Sequence, residues 1–464
     1  MKLTSVLIAA LLTGCATLPT PPATVSPPSA RVGFVEARSN DVTLAPLPPS
    51  WWRLFADPVL DGHVERALAA NADLRVALAN LEVSRAATRQ ANAARLPRVG
   101  VESGSGLTKA VDQPSTTTVP TTDYDLGATV AYEIDLFGRL RSATIAARAD
   151  TEASAAAVDT ARVAVAADTV AAYVDLCGVL AAARVARDTV AAQQRSADLI
   201  ARQLRLGEVS PLELAQATAL LRRAEAAPPL SEADRRRALF RLATLQAKPP
   251  AEADALPVGC KAPPKLVGEI PVGDGAALIA RRPDIREAER KIAAATARIG
   301  IATADLYPRI LIGGSAGLTG GGFDAFLTPL ISWAFLDRNA VRARIASARG
   351  TEVAALASWD SVMLRALREV ESALAEYRAE RSRRMSLIAA LSETDKALKR
   401  AKVRFRLGAD SYLLVLDAER TRNDSASQVA ASDLRVAQIQ VALFRALGGG
   451  WEQAPVQDAL LAPR

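Results

Sequence analysis

From Tyr124 to Asp135 the chain alternates strictly. Tyr124, Leu126, Ala128, Val130, Tyr132 and Ile134 fall on one face, and Asp125, Gly127, Thr129, Ala131, Glu133 and Asp135 on the other. A period of two with one apolar and one small or acidic face predicts a strand between lipid and water. Leu327, Pro329, Ile331, Trp333 and Phe335 repeat the pattern less cleanly, and Pro329 is awkward in a central soluble strand. Glycine-rich stretches read as their partners, so strands are expected over 99–107, 124–135, 310–318 and 326–336. Polar loops 109–123 and 319–325 join each pair, although two soluble β-hairpins would share much of this alternation. Each pair leads into a proline-free helical run, Arg139 to Leu206 and Val341 to Leu407, with one internal glycine apiece, Gly178 and Gly350. At ~1.5 Å per residue each run would extend roughly 100 Å as one helix, far beyond the three turns usual in globular domains.

These units are two copies of one pattern. Pro97 and Asp73 recur as Pro308 and Asp284, both 211 residues on; Ile145, Thr151 and Glu152 recur as Ile345, Thr351 and Glu352, 200 on. Both long runs stop at the same tripeptide, Arg205-Leu206-Gly207 and Arg406-Leu407-Gly408, offset by 201. The glycines suit left-handed helix caps. Ser210-Pro211-Leu212-Glu213 then reads as a capping box with proline at the first helical position, and Asp410 and Ser411 are the capping candidates in the second copy. The expected organisation is a leader over 1–14, a proline-rich extended tether over 15–50, a first repeat over 51–256 with its hairpin at 139–247, a second repeat over 257–450 with its hairpin at 338–447, and a tail over 451–464.

The leader comprises Lys2, the apolar run Leu3 to Leu12, and Leu12-Thr13-Gly14-Cys15, the outline of a secretory signal. Small residues before Cys15 are similar to a bacterial lipobox, whose cysteine is lipidated; an ordinary signal with a chance cysteine has the same outline. No other run of about 20 apolar residues is evident, so no transmembrane helix is expected. Of the remaining cysteines, Cys177 lies midway along the first long helix and Cys260 in a loop. An exported chain can join such a pair in a disulfide, or bury both as free thiols. The 57 basic and 50 acidic residues give a net charge of +7 scattered along helical runs, not concentrated as nucleic-acid binding requires. Aromatics are 4% of the chain, which suits helices packed through small side chains.

Four strands cannot close a barrel, and hydrocarbon tolerates no open edges. Other subunits must supply them, and three chains would give twelve strands.

Several segments carry a family resemblance: Trp51-Trp52-Arg-Leu-Phe55-Ala-Asp57-Pro58, Tyr132-Glu-Ile-Asp-Leu-Phe-Gly138-Arg-Leu-Arg141, Arg282-Pro-Asp-Ile-Arg286, Arg298-Ile-Gly300 leading to Tyr307-Pro308, and Leu447-Gly-Gly-Gly450-Trp451. The chain resembles TolC/NodT-type outer-membrane efflux-channel lipoproteins. The resemblance implies a mainly α, internally duplicated TolC-like fold: a homotrimer with a twelve-stranded membrane β-barrel, four strands per chain, on a long α-helical periplasmic tunnel with an equatorial belt. It implies an exit duct for drugs or other small molecules, served by a periplasmic adaptor (membrane fusion) protein and an inner-membrane pump of the resistance-nodulation-division class. Acylated Cys15 would anchor the chain in outer-membrane lipid.

By the same resemblance the tunnel closes near the second hairpin turn. Leu413 would give an apolar ring, Asp417 an acidic one, and Arg406 and Arg420 the basic partners of neighbouring helices. Spacings of i, i+4 and i, i+3 put residues 413, 417 and 420 on one helix face, where Asp417 and Arg420 could also form a plain exposed pair. The first copy has Gln216 where the second has Asp417. The turns Arg205-Leu206-Gly207 and Arg406-Leu407-Gly408 would meet the adaptor. Other readings are a duct for type I protein secretion and a pore-free structural lipoprotein spanning the periplasm. Catalysis finds no support: His63 is the only histidine, no glycine cluster is followed by Lys-Ser or Lys-Thr, and no cofactor or metal is expected.

Overall fold

The computed structural model describes residues 19–37, 42–108, 121–319, 322–333 and 335–452. The leader with Cys15, loop residues 109–120, Gly320, Gly321 and the tail from 453 lie outside the described residues. In chain order the elements are β1 (Val42–Thr43), α1 (Pro58–Ala70), α2 (Ala72–Ala93), β2 (Arg98–Thr108), β3 (Thr121–Ile134), α3 (Arg139–Arg205), α4 (Pro211–Glu225), α5 (Ala227–Leu245), β4 (Ile270–Pro271), α6 (Gly275–Arg281), α7 (Pro283–Ala304), β5 (Arg309–Thr319), β6 (Gly322–Ser332), α8 (Arg338–Arg406) and α9 (Tyr412–Ala446). The runs α3 and α8 are unbroken helices of 67 and 69 residues.

Two breaks interrupt the helical limbs. Between Asp57 and Arg95 the chain forms two helices, α1 and α2, because Asn71 stops one and starts the next: its carboxamide oxygen accepts the Leu74 amide at 3.1 Å and its side-chain nitrogen donates to the Leu245 carbonyl at 2.9 Å. The return limb of the first hairpin breaks at Ala226, ahead of Pro228-Pro229, into α4 and α5. Within α3, one 18-residue window is apolar enough to cross a membrane, with mean hydropathy 1.7, but 67% of it is buried in the protein. It serves as a core helix.

The chain divides into two compact units. The first comprises residues 19–25, Ala79–Ala156 and Asp284–Val362. Its centre is a four-stranded antiparallel sheet in the order β2-β3-β5-β6. The register stands Val99, Val130, Gly314 and Leu327 abreast, and likewise Ile134, Ile310 and Ile331. One face is thereby apolar across all four strands. Val99, Leu327 and Ile331 on that face are at least 70% exposed, which water would penalise and lipid would not. Glu102, Thr129, Ser315 and Thr328 fall on the opposite face. β2 and β6 are the sheet's edges, and Pro329 sits on the edge strand β6 as its missing amide requires. β6 also differs in extent from the expected 326–336: it starts at Gly322, paired with Thr319, and stops at Ser332. Trp333 has left the strand and donates its indole N–H to the Leu306 carbonyl at 3.1 Å.

The Tyr132–Arg141 motif makes the corner from strand to helix. The Glu133 carboxylate receives the Arg139 guanidinium at 2.8 Å, and Asp135 accepts the Leu140 and Arg141 amides at 3.0 and 2.8 Å, capping α3. Gly138 turns the chain at φ 73°, and Phe137 stacks on Tyr307 with ring centroids 4.5 Å apart.

The second unit comprises Ser26–Leu78, Ala157–Pro283 and residues 363–452. Three motifs far apart in sequence meet in it. Trp51 is fully buried, stacks on Phe444 at 4.8 Å and donates its indole N–H to the Gly449 carbonyl at 3.2 Å. Arg282 donates to the Ala446 carbonyl at 2.7 Å and to Glu369 at 3.0 Å, satisfying the end of α9. Gly450 adopts φ 105°, a conformation that favours glycine, and a Cβ on Gly449 would press on the end of the Leu47 side chain. The proline-rich segment is bound here too. Phe34 and Leu47 are buried, β1 pairs in parallel with β4, and Glu371 accepts the Val35 and Glu36 amides at 2.7 and 3.0 Å.

Beside them Cys177 is bonded to Cys260, Cα atoms 5.6 Å apart, fastening the 257–260 loop to α3. Next to this bridge Tyr173 donates to the Asp57 carboxylate at 2.8 Å, and burial pushes the phenol's pKa up. His63, wholly buried, has Nε2 2.8 Å from the Pro257 carbonyl and Nδ1 2.9 Å from the Gln246 carboxamide nitrogen. Burial pulls its pKa below 6.5, with the backbone bond opposing. A buried neutral imidazole that takes a proton only in the unfolded chain contributes stability that is present above the unfolded pKa and lost as pH falls below it. The thermal midpoint should therefore drop as pH falls through 6.5, and the wild-type minus His63→Gln difference should carry that dependence. A difference flat with pH would mean that His63 titrates alike folded and unfolded.

Candidate gate and docking turns

Both hairpins turn by the same device. Glu208 N–H bonds the Gln203 carbonyl and Gly207 N–H that of Leu204, both at 3.0 Å; Ala409 and Gly408 bond Arg404 and Phe405 at 3.0 and 2.9 Å. Gly207 and Gly408 take φ 76° and 72°, giving the paired closing bonds of a left-handed C-cap. Leu206 and Leu407 project at 73% and 77% exposure, and Arg205 and Arg406 beside them are also exposed. The restart differs between copies. Glu213 accepts the Ser210 amide at 2.8 Å in the first. In the second, Ser411 occupies the cap position without a side-chain bond, and Asp410 instead pairs with Arg404, with one contact at 2.9 Å. That bond holds the Asp410 carboxyl below its usual range.

The expected gate residues lie on one face of α9, all exposed: Leu413, Asp417 and Arg420. Arg420 reaches Asp417 at 2.6 Å, with both side chains more than half exposed. Among the described residues, the bonds of Arg406 and Arg420 stay on their own helices, that of Arg406 going to the Lys402 carbonyl at 3.3 Å. The inter-helix hold expected of these arginines is not made within a subunit.

Sequence reasoning missed the buried face of α9. Tyr412, Val415, Leu416 and Glu419 follow i, i+3, i+4, i+7, and all are buried with Ala197, Ile200, Ala217, Leu221 and Ala401. Glu419 accepts a bond from Ser196 of α3 at 2.8 Å and meets Lys402 Nζ of α8 at 2.8 Å. Burial raises the pKa of neighbouring Tyr412, and Phe405 packs edge-on against that ring at 4.9 Å. The signal was present, since an acidic residue in the buried phase of a helix demands a partner. An adjacent cleft of about 820 Å³ is lined by Arg195, Gln203, Phe405, Arg406, Tyr412 and Glu419.

A family model for outer membrane efflux proteins matches residues 63–247 and 276–449, one match in each copy of the duplication. The chain belongs to the outer membrane efflux protein family. It is 31% identical over 463 residues to the outer membrane protein OprJ of Pseudomonas aeruginosa, covering 97% of this chain and 96% of that one. It is 30% identical over 460 residues to Nodulation protein T of Rhizobium leguminosarum bv. viciae, covering 97% and 94%. The solved outer-membrane channel OprN superposes with a TM-score of 0.86 at 33% identity, over 94% of this chain and all of that one. The chain is thus an outer-membrane efflux duct with a TolC-like fold, in a family of channel proteins.

Exposed i, i+3 ion pairs contribute a few tenths of a kcal/mol, below ~1 kcal/mol, whereas removing one partner of a buried pair typically costs about 3–5 kcal/mol. Asp417→Asn and Arg420→Gln should each change unfolding free energy by less than ~1 kcal/mol in denaturant titrations of detergent-solubilised protein. A loss of several kcal/mol from either would show that the pair is a structural tie.

Proposed function

We propose that this duct works as a homotrimer and as the outer component of a three-part export assembly. Its twelve strands close one barrel, and it receives small-molecule cargo from a resistance-nodulation-division pump through a periplasmic adaptor. Lipid on Cys15 adds a second hold on the outer membrane. The observation that carries this reading is the open sheet with a continuous apolar face, on a chain belonging to an efflux family. An exposed face of aliphatic side chains suits hydrocarbon, yet its unpaired edges do not, so the same sheet requires both a membrane and further copies of itself.

The two turns serve as the adaptor's landing points. They are built alike, and each presents one leucine flanked by arginine. The second hairpin carries the constriction: in a trimer three copies of Asp417 face one axis, and their field favours cations.

Two measurements check these assignments. Replacing Leu206 and Leu407 together by aspartate should abolish complementation of an efflux-deletion strain on a panel of antibiotics, dyes and solvents, with normal outer-membrane levels. Retained resistance would exclude docking at the turns. In planar bilayers Asp417→Ala should weaken cation selectivity at low salt, where screening is slight; unchanged selectivity there would place the acidic ring elsewhere.

A further inference from the structure

The second unit holds a cavity of about 360 Å³ between the loop 262–269 and the helices α8 and α9, a size that suits a small molecule. Each helix lines it with one face. Tyr377 and Arg384 stand i, i+7 on α8, and Asp433 and Gln440 i, i+7 on α9. Tyr377 and Gln440 are only 8% and 6% exposed. Both line the cavity, and among the described residues neither the phenol nor the carboxamide has a hydrogen-bond partner. At the offset of 201 shown by the two turns, Gln440 corresponds to Leu239, which is 2% exposed in the core of the first copy. An amide in a leucine's place costs free energy unless something bonds to it.

The wall beside them is charged. Arg384 gives its Nε–H to Asp433 across the hairpin, which fixes the plane of the guanidinium. Its two terminal nitrogens make no further bond among the described residues, and Lys265 on the loop forms no ion pair there either. Against these donors stand Asp433, already engaged by Arg384, and the exposed Glu269 at the rim. Leu266 and Val436 add an apolar side. The loop that roofs the cavity is pinned along its length. The Cys177–Cys260 bridge holds it on one side, and the Val267 and Val272 amides bond the Leu54 and Thr43 carbonyls at 3.0 and 2.9 Å on the other. A roof formed in advance lowers the ordering cost of binding.

We propose that this cavity binds a small organic carboxylate. The terminal nitrogens of Arg384 and the Lys265 ammonium take the negative charge, since a fixed guanidinium fork favours a planar anion with two oxygens. Tyr377 and Gln440 bond the ligand from the buried floor, and Leu266 and Val436 cover its apolar body. The site uses neither hairpin turn nor the face bearing Leu413 and Asp417, so it stands whether or not the chain conducts.

Isothermal titration of the purified full-length protein in dodecyl maltoside at low salt tests it. Benzoate is the probe, benzamide its neutral counterpart and inorganic phosphate a second anion. Benzoate should bind saturably, and benzamide about tenfold more weakly or worse for want of the charge. Tyr377→Phe removes only a hydroxyl and should weaken benzoate about tenfold at an unchanged thermal midpoint. Lys265→Ala, on the exposed rim, should weaken it a few-fold. Gln440→Leu installs the first copy's residue; it should lose benzoate binding and raise the thermal midpoint of the ligand-free protein. A residue with a merely structural role would not give that combination. No saturable binding by the wild-type protein, or unchanged affinity in folded Tyr377→Phe and Gln440→Leu proteins, would mean that the cavity holds water only and overturns the proposal. Phosphate bound as tightly as benzoate would overturn the choice of a carboxylate.

Discussion

Unpaired strand edges cannot face hydrocarbon. A backbone N–H or C=O left without a partner there costs several kcal/mol, and an edge strand carries a row of them. This chain builds a sheet of four strands, β2-β3-β5-β6, and leaves an edge at each side. Its apolar face is aligned by register across every strand, so the sheet cannot be withdrawn into water at low cost either. Duplication is the means: each copy supplies one hairpin, and β3 with β5 joins the copies in the middle. The long helices have a related constraint. A 67-residue helix buries little by itself, and α3 is composed so that alanine and valine cover its inward positions, letting backbones approach closely.

The motifs that mark the family turn out to be fasteners between distant parts of the chain. Trp51, just ahead of α1, is held by the carbonyl of Gly449, and Arg282, early in the second copy, satisfies the Ala446 carbonyl at the end of α9. Their residue types follow from that geometry. Gly450 takes φ 105°, which residues with a side chain rarely adopt, and only a long cation with several donors can serve Glu369 and a helix C-terminus together. In the same unit the Cys177–Cys260 bridge and His63 fasten the 257–260 loop from two sides.

What was legible in the sequence is what repeats. Period-two alternation gave β3 and its partners, the offsets near 200 gave the duplication, and the shared Arg-Leu-Gly gave both turns. Single side chains that interrupt a continuing pattern escaped notice. Asn71 stops a helix while the apolar phase runs on, and Trp333 continues the alternation of β6 although the strand has ended. The two-residue strands β1 and β4 have no period to detect. At the candidate site, Leu413, Asp417 and Arg420 lie exposed on α9 at spacings legible in the sequence. The arginines' hold on other helices was not found within the subunit, and buried Glu419 passed unnoticed because a lone acid in a charged helix looks like surface until its phase is checked.

Copy number is the quantity on which the whole account turns. Native mass spectrometry of the purified full-length protein in detergent, with circular dichroism on the same sample, addresses it directly. Four strands that cannot close alone predict a single species of three chains with the β-signal intact. A monodisperse monomer with its full β content would contradict the account, since its edges would then be satisfied without neighbours.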